Sequence, residues 1–235
     1  MKAEPSVSLI VVTWNDLDRL RRCLPSVFGQ RYGNFEVILV DNASTDGSVA
    51  YATQTFPACA IVRMASNAGY AAANNAGLAV ARGDYVAVLN PDTEVDADWL
   101  RELVAALETH PRAGLAAPKI LLMGDRSRVN ACGNDVSPLM LTTCRGLDEE
   151  SGRVRAVETV AAVSGAAFVA RRDVLRRIGL FDGRYFIYFE DTDLSLRAML
   201  AGHTCLFVPS AVVYHDYAWK FTPRKCFLQE RNRYA

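Results

Sequence analysis

The sequence predicts an α/β protein built on a doubly wound, mostly parallel sheet with helices on both faces. Short apolar, β-branched runs alternate with helical patterns through the first half of the chain, which indicates parallel βαβ units. The runs are nearly continuous in apolar residues, as expected of strands that are buried on both faces. Asn and Asp follow several runs, at the strand ends where such sheets bind ligands.

Strands and helices are predicted to alternate through residues 1–113. The predicted strands are residues 7–14, 35–41, 59–64 and 84–90. The predicted helices are residues 16–30, 44–56, 69–83 and 96–110. Pro25 is expected to kink or shorten the first helix, because proline removes a helix hydrogen bond. Ser44 is expected to cap the second helix, and Gly83 to end the third.

The pattern is weaker after Gly114. Residues 124–160 contain polar turns and weak strands whose topology the sequence does not reveal. Residues 163–179 predict a strand that enters a short helix, residues 190–202 predict a helix, and residues 204–216 predict a last pair of strands. No repeat, low-complexity tract or linker interrupts the chain, so we expect a single domain.

The composition excludes some classes of function. The chain has 51% hydrophobic and 22% charged residues, which is typical of a globular protein. Lys plus Arg and Asp plus Glu number 26 each, and this balance gives no support for nucleic-acid binding. The six cysteines have no CxxC spacing and are expected to be buried free thiols in a reducing compartment. Without a convincing signal peptide or membrane span, the protein is expected in the cytoplasm or at the inner face of the membrane.

Polar side chains follow three of the predicted strands. Thr13 and Asn15 follow the first, Asp41 the second, and Asn90 and Asp92 the fourth. Turn formation explains one such strand end, but three at one sheet edge favour a ligand site. The glycine-rich loops that usually cradle nucleotide phosphates are absent. If a nucleotide binds, a divalent cation held by Asp92 could neutralise its phosphates, and Mg²⁺ suits a site with few carboxylates.

Seven sequence motifs carry a resemblance to a known family. In chain order they are VVTWN, DNASTDGS, SNAGYAAANNAG, LNPDT, SGAAF, YFEDTDLSLRA and VVYH. Each motif is weak alone, but together they resemble the family-2 glycosyltransferases with the GT-A fold, particularly the bacterial rhamnosyltransferase-like branch. The resemblance covers nearly the whole chain. It implies one GT-A domain over residues 1–235, with a nucleotide-sugar-binding half at 1–113 and a smaller mixed acceptor-binding half at 114–235.

The resemblance implies a donor site at the sheet edge. The implied donor-binding residues are Thr13, Asn15, Asp41, Asn67, Gly69, Asn74, Asn90 and Asp92. Asp41 would contact the nucleotide base, and the Asn67–Asn74 stretch would line the base and ribose. For Asn74, a helix-surface amide is nearly as good an interpretation.

The resemblance also implies Mg²⁺ or Mn²⁺ as a cofactor. The family's DXD element appears here as Asn90-Pro91-Asp92, in which an amide replaces the first carboxylate. Asp92 would hold the metal, and Asn90 would at most hydrogen-bond the ribose or the sugar. His215 would complete the metal shell, although a histidine at this place could simply be a polar residue at a turn.

The ED pair in FEDTD is the implied catalytic element. An alternative interpretation is structural, because acidic residues favour a helix N-terminus, and it would account for one or two of these side chains. In the family the second residue of the pair, here Asp191, is the general base, and Glu190 is expected to position the acceptor. We expect the helix N-terminus to keep Asp191 ionised. Gly165 is expected near the acceptor, and Asp193 is expected to pair with Arg197.

The resemblance therefore implies a metal-dependent, inverting glycosyltransferase that acts in cell-surface polysaccharide synthesis. The donor would be a UDP- or dTDP-sugar, and the acceptor a glycan or a lipid-linked sugar. One alternative is a sugar-1-phosphate nucleotidyltransferase, which the missing glycine-rich loop disfavours. Another is a catalytically inactive GT-A binding protein, which Asn90 permits and the intact ED pair opposes.

The C-terminal tail interleaves basic and aromatic residues. They are Lys220, Phe221, Arg224, Lys225, Phe227, Arg231 and Arg233. The tail is interpreted either as a solvated helix face or as a segment that contacts anionic lipid or a lipid-diphosphate acceptor.

Overall fold

The computed structural model describes residues 4–153, 155–217 and 222–234. The strands are β1 (Val7–Thr13), β2 (Phe35–Asp41), β3 (Ala60–Arg63), β4 (Tyr85–Leu89), β5 (Thr93–Val95), β6 (Ala113–Leu122), β7 (Asp125–Ala131), β8 (Asn134–Val136), β9 (Thr142–Cys144), β10 (Glu158–Val160), β11 (Ala167–Arg171) and β12 (Thr204–His215). The helices are α1 (Leu17–Phe28), α2 (Ser48–Thr55), α3 (Gly69–Val80), α4 (Trp99–Thr109), α5 (Arg172–Ile178), α6 (Glu190–Leu200) and α7 (Pro223–Arg233).

One large sheet organises the described ranges, with ten strands and the order β10-β12-β6-β11-β4-β1-β2-β3; β5 pairs with β12 and β7 with β6. The first-half strands β1, β2, β3 and β4 pair in parallel. In the second half β11 runs antiparallel to β4 and β6, while β12 runs parallel to β6. The predicted α/β class, with a mostly parallel first half and a mixed second half, is confirmed.

Strand β1 shows why helices cover both faces of the sheet. All seven of its residues are buried, and successive side chains point to opposite faces. Leu9 and Val11 join the core that includes α1 and α4, whereas Ile10 and Val12 join the core that includes α3 and α6. A Cβ at Gly77 of α3 would lie 2.7 Å from Ile10, so this glycine lets α3 approach the sheet closely.

Two predicted helix ends are wrong. Helix α2 begins at Ser48 rather than at Ser44, because Gly47 takes a left-handed φ of 84° and the Asp46 carboxylate accepts hydrogen bonds from the Ser48 backbone N–H and hydroxyl. Helix α3 ends at Val80, three residues before Gly83. Pro25 lies inside α1, whose assigned span runs uninterrupted from Leu17 to Phe28, so the predicted shortening is wrong.

The predicted pair of strands at residues 204–216 is also wrong. The segment is one long strand, β12, which pairs with β6 along its length. A register shift between Val208 and Val212 marks an irregularity where Pro209 and Ser210 lie. Pro209 cannot donate a hydrogen bond to the neighbouring strand, and the irregularity accommodates it within one continuous strand, without the turn that a pair of strands would require.

Candidate active site

The carboxyl ends of β1, β2 and β4 lie at one edge of the sheet, next to two adjoining cavities. The Asp92 cavity has a volume of about 400 Å³ and includes Asn67, Gly69, Asn90 and Asp92 in its lining. The Asp191 cavity has a volume of about 460 Å³ and includes Asn90, Gly165, Glu190 and Asp191 in its lining. Seven of the twelve site residues predicted from the sequence therefore line this pair of cavities, and Asn90 lines both.

The two cavities share a wall of five residues. It consists of Tyr70, Asn90, Ile187, Tyr188 and Lys225, each of which lines both spaces. The Tyr70 hydroxyl donates a hydrogen bond of 2.6 Å to the Gly165 carbonyl. Burial raises the pKa of Tyr70 well above its usual range, and the charges of Glu190, Asp191 and Asp92 add to the effect. Asp92 lines one cavity and Glu190 and Asp191 line the other, so the three carboxylates lie around one cleft.

Asp92 and His215 form the polar pair of the Asp92 cavity. The His215 Nε2 lies 3.3 Å from Asp92 Oδ1, and the other ring nitrogen lies 2.8 Å from the Asn130 side-chain oxygen. Strand β5 pairs with β12, which sets the Asp92 loop beside the end of β12. Burial favours the neutral form of Asp92, but His215 and the charge of Arg19 outweigh it and lower the pKa of Asp92. The carboxylate is therefore held ionised.

The oxygens at this edge suit a cation or a polar ligand. Asn90 Oδ1 is buried without a hydrogen-bond partner, and Asp92 Oδ1 is buried with His215 Nε2 3.3 Å away. Buried polar atoms are usually satisfied, so the unpartnered Asn90 oxygen beside an ionised carboxylate suits a ligand. Among the residues that the structure describes, no group of three or more His, Cys, Asp or Glu side chains could hold a metal. A divalent ion at Asp92 and His215 would thus take its remaining ligands from a substrate and water, which fits the chemistry of Mg²⁺ and Mn²⁺.

The carboxylate of Asp191 is held by backbone amides. Asp191 Oδ2 accepts a hydrogen bond of 2.7 Å from the Gly165 N–H, and Oδ1 accepts one of 2.7 Å from the Thr192 N–H. Burial nevertheless raises the pKa of Asp191, against the effect of these amides. The backbone amides favour the ionised carboxylate and burial opposes them, so the expectation that the helix N-terminus keeps Asp191 ionised stays a prediction.

Glu190 is the unpaired member of the ED pair. Its side chain is buried at 5% exposure, and its Oε2 atom has no hydrogen-bond partner although it lines the Asp191 cavity. Burial raises the pKa of Glu190 to about 8, and the charge of Asp191 adds to the rise. Asp193, by contrast, forms the expected ion pair with Arg197, at 2.7 Å.

Four predicted donor contacts are not among the residues that line either cavity. Thr13 and Asp41 are buried side by side at the ends of β1 and β2. Asn15 accepts a hydrogen bond from the Thr45 N–H and so ties the two loops together. Asn74 is fully buried in α3, so the surface-amide interpretation is wrong, and its side-chain amide donates a hydrogen bond to the Tyr70 carbonyl.

Several lining residues were given no site role from the sequence, although Asn42 was noted at the end of the second predicted strand. Asn42 lines the Asp92 cavity, donates to Asn67 Oδ1 and accepts from the Ala68 N–H, so it shapes the loop before α3. Tyr70 and Tyr188 form the shared wall. The signal for Asn42 was present, since it follows a strand end directly. The tyrosines gave no such signal, because an aromatic residue in a helix or loop is usually a core residue.

Helix α7 closes both cavities from the C-terminal side. Arg224 and Lys225 reach the Asp92 cavity, and Lys225 also reaches the Asp191 cavity. The Asn232 amide donates hydrogen bonds to the carbonyls of Ile187 and Tyr188, which anchor the helix to the segment before Glu190. Lys220 and Phe221 of the predicted basic tail lie outside the described residues.

A comparison with family models matches residues 8–179 to the family described as Glycosyl transferase family 2. An N-acetylglucosaminyl-diphospho-decaprenol L-rhamnosyltransferase of Mycobacterium tuberculosis is 30% identical over 237 residues, which cover 89% of this chain and 76% of that protein. The uncharacterized protein y4gI of Sinorhizobium fredii is 32% identical over 235 residues, which cover 92% of this chain. The matched region spans 25% of the length of y4gI.

Solved structures share the fold. GalNAc-T7 with UDP, GalNAc and Mn²⁺ superposes with a TM-score of 0.76 at 22% identity, over 92% of this chain and 44% of that one. The mannosyltransferase PcManGT from Pyrobaculum calidifontis, in complex with GDP-Man and Mn²⁺, gives a TM-score of 0.70 at 21% identity, over 93% of this chain and 59% of that one. The likenesses show a GT-A fold. In the described part of this chain, none of the helices combines the length and apolar character of a membrane span.

Proposed function

The chain belongs to glycosyl transferase family 2, and on that premise we propose that it moves a sugar from a nucleoside-diphosphate sugar to an acceptor hydroxyl with inversion at the anomeric carbon. One observation carries the proposal. The Asp92 cavity and the Asp191 cavity adjoin each other, and Asn90 and Tyr70 line both of them. A donor in the first space would present its reacting carbon at the junction to an acceptor in the second.

We assign the Asp92 cavity to the donor diphosphate. Asp92 and His215 would hold Mg²⁺ or Mn²⁺, which supplies Lewis-acid stabilisation of the departing diphosphate when bound. Arg224 and Lys225 line the same space and supply positive charge toward phosphate oxygens. The unpartnered Asn90 Oδ1 would accept a hydrogen bond from a sugar or ribose hydroxyl.

The rest of the donor site stays a prediction. Asn67 and Gly69 line the Asp92 cavity and would contact the nucleoside. Thr13, Asn15 and Asp41 would shape the loops around the base.

We assign the Asp191 cavity to the acceptor. The Asp191 carboxylate would take the proton of the attacking hydroxyl, and the Gly165 N–H keeps that carboxylate oriented. Glu190 would bind the acceptor through its unpartnered Oε2. Attack from this side, opposite the diphosphate, inverts the anomeric carbon.

We propose that the whole chain acts as one GT-A domain in cell-surface polysaccharide synthesis, at the cytoplasmic side of the membrane. The rhamnosyltransferase relative is named for a diphospho-decaprenol acceptor, which supports a lipid-linked acceptor here. A UDP- or dTDP-sugar remains the proposed donor.

Replacing the proposed base separates an active transferase from an inactive binding protein. We expect Asp191→Asn to lower turnover by at least about 10²-fold, since a general base contributes that much, while donor binding persists. Sugar transfer and donor affinity, measured by calorimetry, report the two effects. Asp193→Asn is the matched control, because Asp193 lies in the same helical turn but pairs with Arg197.

Transfer activity that survives Asp191→Asn would remove the base assignment. A nucleotidyltransferase would instead form a nucleotide sugar from a sugar 1-phosphate, and the same preparations can be tested for that product.

A further inference from the structure

The outer side of α7 carries aromatic and arginine side chains that the fold leaves in solvent. We define the α7 outer face as Phe227, Arg231 and Tyr234, which recur at helical spacing and are all exposed. Phe227 is 63% exposed, and Tyr234, which directly follows the helix, is 78% exposed. The opposite side of α7 is buried through Leu228 and Asn232. The helix is thus anchored by one side and presents large apolar groups on the other.

The β8–β9 hairpin brings further apolar groups to the same region. Leu139 and Leu141, in the connection between the two strands, are 70% and 46% exposed. The Arg233 guanidinium donates a hydrogen bond of 3.0 Å to the Leu139 carbonyl, which joins the hairpin to the end of α7. Leu141 also lines the Asp191 cavity. The exposed apolar groups therefore stand at the mouth of that cavity.

This region is positively charged in a chain that is neutral overall. Helix α7 contains Arg224, Lys225, Arg231 and Arg233 with Glu230 as its acid, whereas the whole chain has a net charge of zero. Basic groups next to exposed aromatic rings are typical of segments that lie on an anionic membrane surface. Two copies of this face would bring like charges together, which disfavours self-association.

We propose that the α7 outer face and Leu139 dock on the surface of a bilayer that contains anionic lipids. Phe227, Tyr234 and Leu139 enter the headgroup region, and Arg231 contacts lipid phosphates. Docking in this orientation brings the mouth of the Asp191 cavity to the membrane surface. That cavity's use for a lipid-linked acceptor rests on the proposed function, whereas the docking itself does not.

Vesicle sedimentation without any sugar donor tests the docking separately from catalysis. We expect the 235-residue chain to sediment with vesicles of phosphatidylcholine mixed with phosphatidylglycerol. Binding should be weaker on phosphatidylcholine alone and should fall at high salt, because part of the attraction is electrostatic.

Matched variants test the surface. Phe227→Ser should lower the partition coefficient on mixed vesicles about tenfold, since it removes a large inserted ring. Leu200→Ser is its control: Leu200 is 88% exposed at the end of α6 and should not affect binding. Arg231→Gln should lower binding about fivefold on mixed vesicles only. Arg63→Gln, at the exposed end of β3, is the control for charge.

Three results would overturn the proposal. The first is no sedimentation of the wild-type chain with either vesicle type. The second is an equal loss for Leu200→Ser and Phe227→Ser. The third is a concentration-dependent dimer that Phe227→Ser dissociates, without vesicle binding, which would assign the surface to a second copy. Absence of transferase activity, with vesicle binding intact, would count against the proposed function and not against the docking.

Discussion

Glu190 and Asp191 are neighbouring carboxyl groups that the fold buries at the start of α6. Burial and the charge of Asp191 raise the pKa of Glu190 from 4.5 to about 8. Asp191 has both oxygens occupied by backbone N–H groups, whereas Glu190 Oε2 has no partner. Burial and the neighbouring charge thus oppose ionisation of Glu190, whereas the amide-bound Asp191 carboxylate is the one that the backbone orients to accept a proton.

The buried glutamate predicts a stability that depends on pH. Its folded-state pKa lies above the unfolded value, so its contribution is fully present below pH 4.5 and is lost as the pH rises through about 8. The free energy of unfolding of the unsubstituted protein should fall by a few kcal/mol between these pH values, and Glu190→Gln should not show this fall. Urea unfolding at several pH values measures it.

Glu150→Gln is the matched control for that series, because Glu150 is exposed and its carboxyl is already in water. If the free energy of unfolding of Glu190→Gln declined with pH as steeply as that of the unsubstituted protein, burial of Glu190 could not be the cause of the decline.

Tyr70 is a positioning residue in our interpretation. Its hydroxyl holds the Gly165 carbonyl, and the Gly165 N–H holds Asp191. Tyr70→Phe should lower kcat about tenfold while the donor KM changes little, since the change loosens the base rather than the donor. Steady-state kinetics over donor concentration measures this split.

Tyr185→Phe provides the comparison for Tyr70→Phe. Tyr185 is 4% exposed and packs against Phe189, in the same part of the fold. The assignment fails if both variants lower kcat alike, or if Tyr70→Phe acts on the donor KM instead.

At the scale of elements, the start of α3 is fixed by its contact with the segment before α6. Gly69 has a φ of 87°, and a Cβ there would collide with the Phe186 carbonyl. The Tyr70 N–H donates a hydrogen bond of 2.7 Å to that same carbonyl. The segment that follows contains two non-glycine residues with positive φ, Tyr188 at 72° and Phe189 at 76°, held in part by Asn232 of α7. Three elements thus constrain one another around the cleft.

Gly69→Ala should therefore destabilise the protein by about 2–4 kcal/mol, from left-handed strain plus the collision. Chemical denaturation measures the loss. At Gly124 nothing lies within 4 Å of the added Cβ, so Gly124→Ala should change stability far less. Equal effects of the two substitutions would show that the contact with Phe186 does not hold α3.

At the scale of the whole molecule, both halves of the chain build the cleft. The first half supplies Asn90 and Asp92, while the second half supplies Asp191, His215 and Lys225. A ligand bound across these groups would couple the two halves, because it binds only when both are folded.

A nucleoside diphosphate should consequently raise the melting temperature, and more so with Mn²⁺ than with a chelator. Asp92→Asn should abolish the metal-dependent part of the shift, because it removes the buried oxygen proposed to bind the ion. Asp18→Asn should keep it, since the Asp18 side chain is 95% exposed on α1. A metal-dependent shift that persists in Asp92→Asn would place the ion elsewhere.

The sequence by itself determined the first half of the fold and the outline of the site. Continuous apolar runs separated by helices specify a parallel sheet, and the end of each strand then falls at a common edge. Asn90 and Asp92 were identifiable because they follow a strand, whereas the roles of His215 and the ED pair were implied by the resemblance to the family. These are local patterns, which depend on the spacing of neighbouring residues.

Only the tertiary structure decided which polar groups are buried and what they contact. Asp191 takes its hydrogen bond from Gly165, 26 residues away, and Tyr70 reaches Gly165 across 95 residues. Asn74 has a motif position that suggested a ligand contact, yet it lies in the core. Burial, and with it the pKa of a carboxyl group, is set by elements that are distant in sequence. The spacing of neighbouring residues therefore does not reveal those distant contacts.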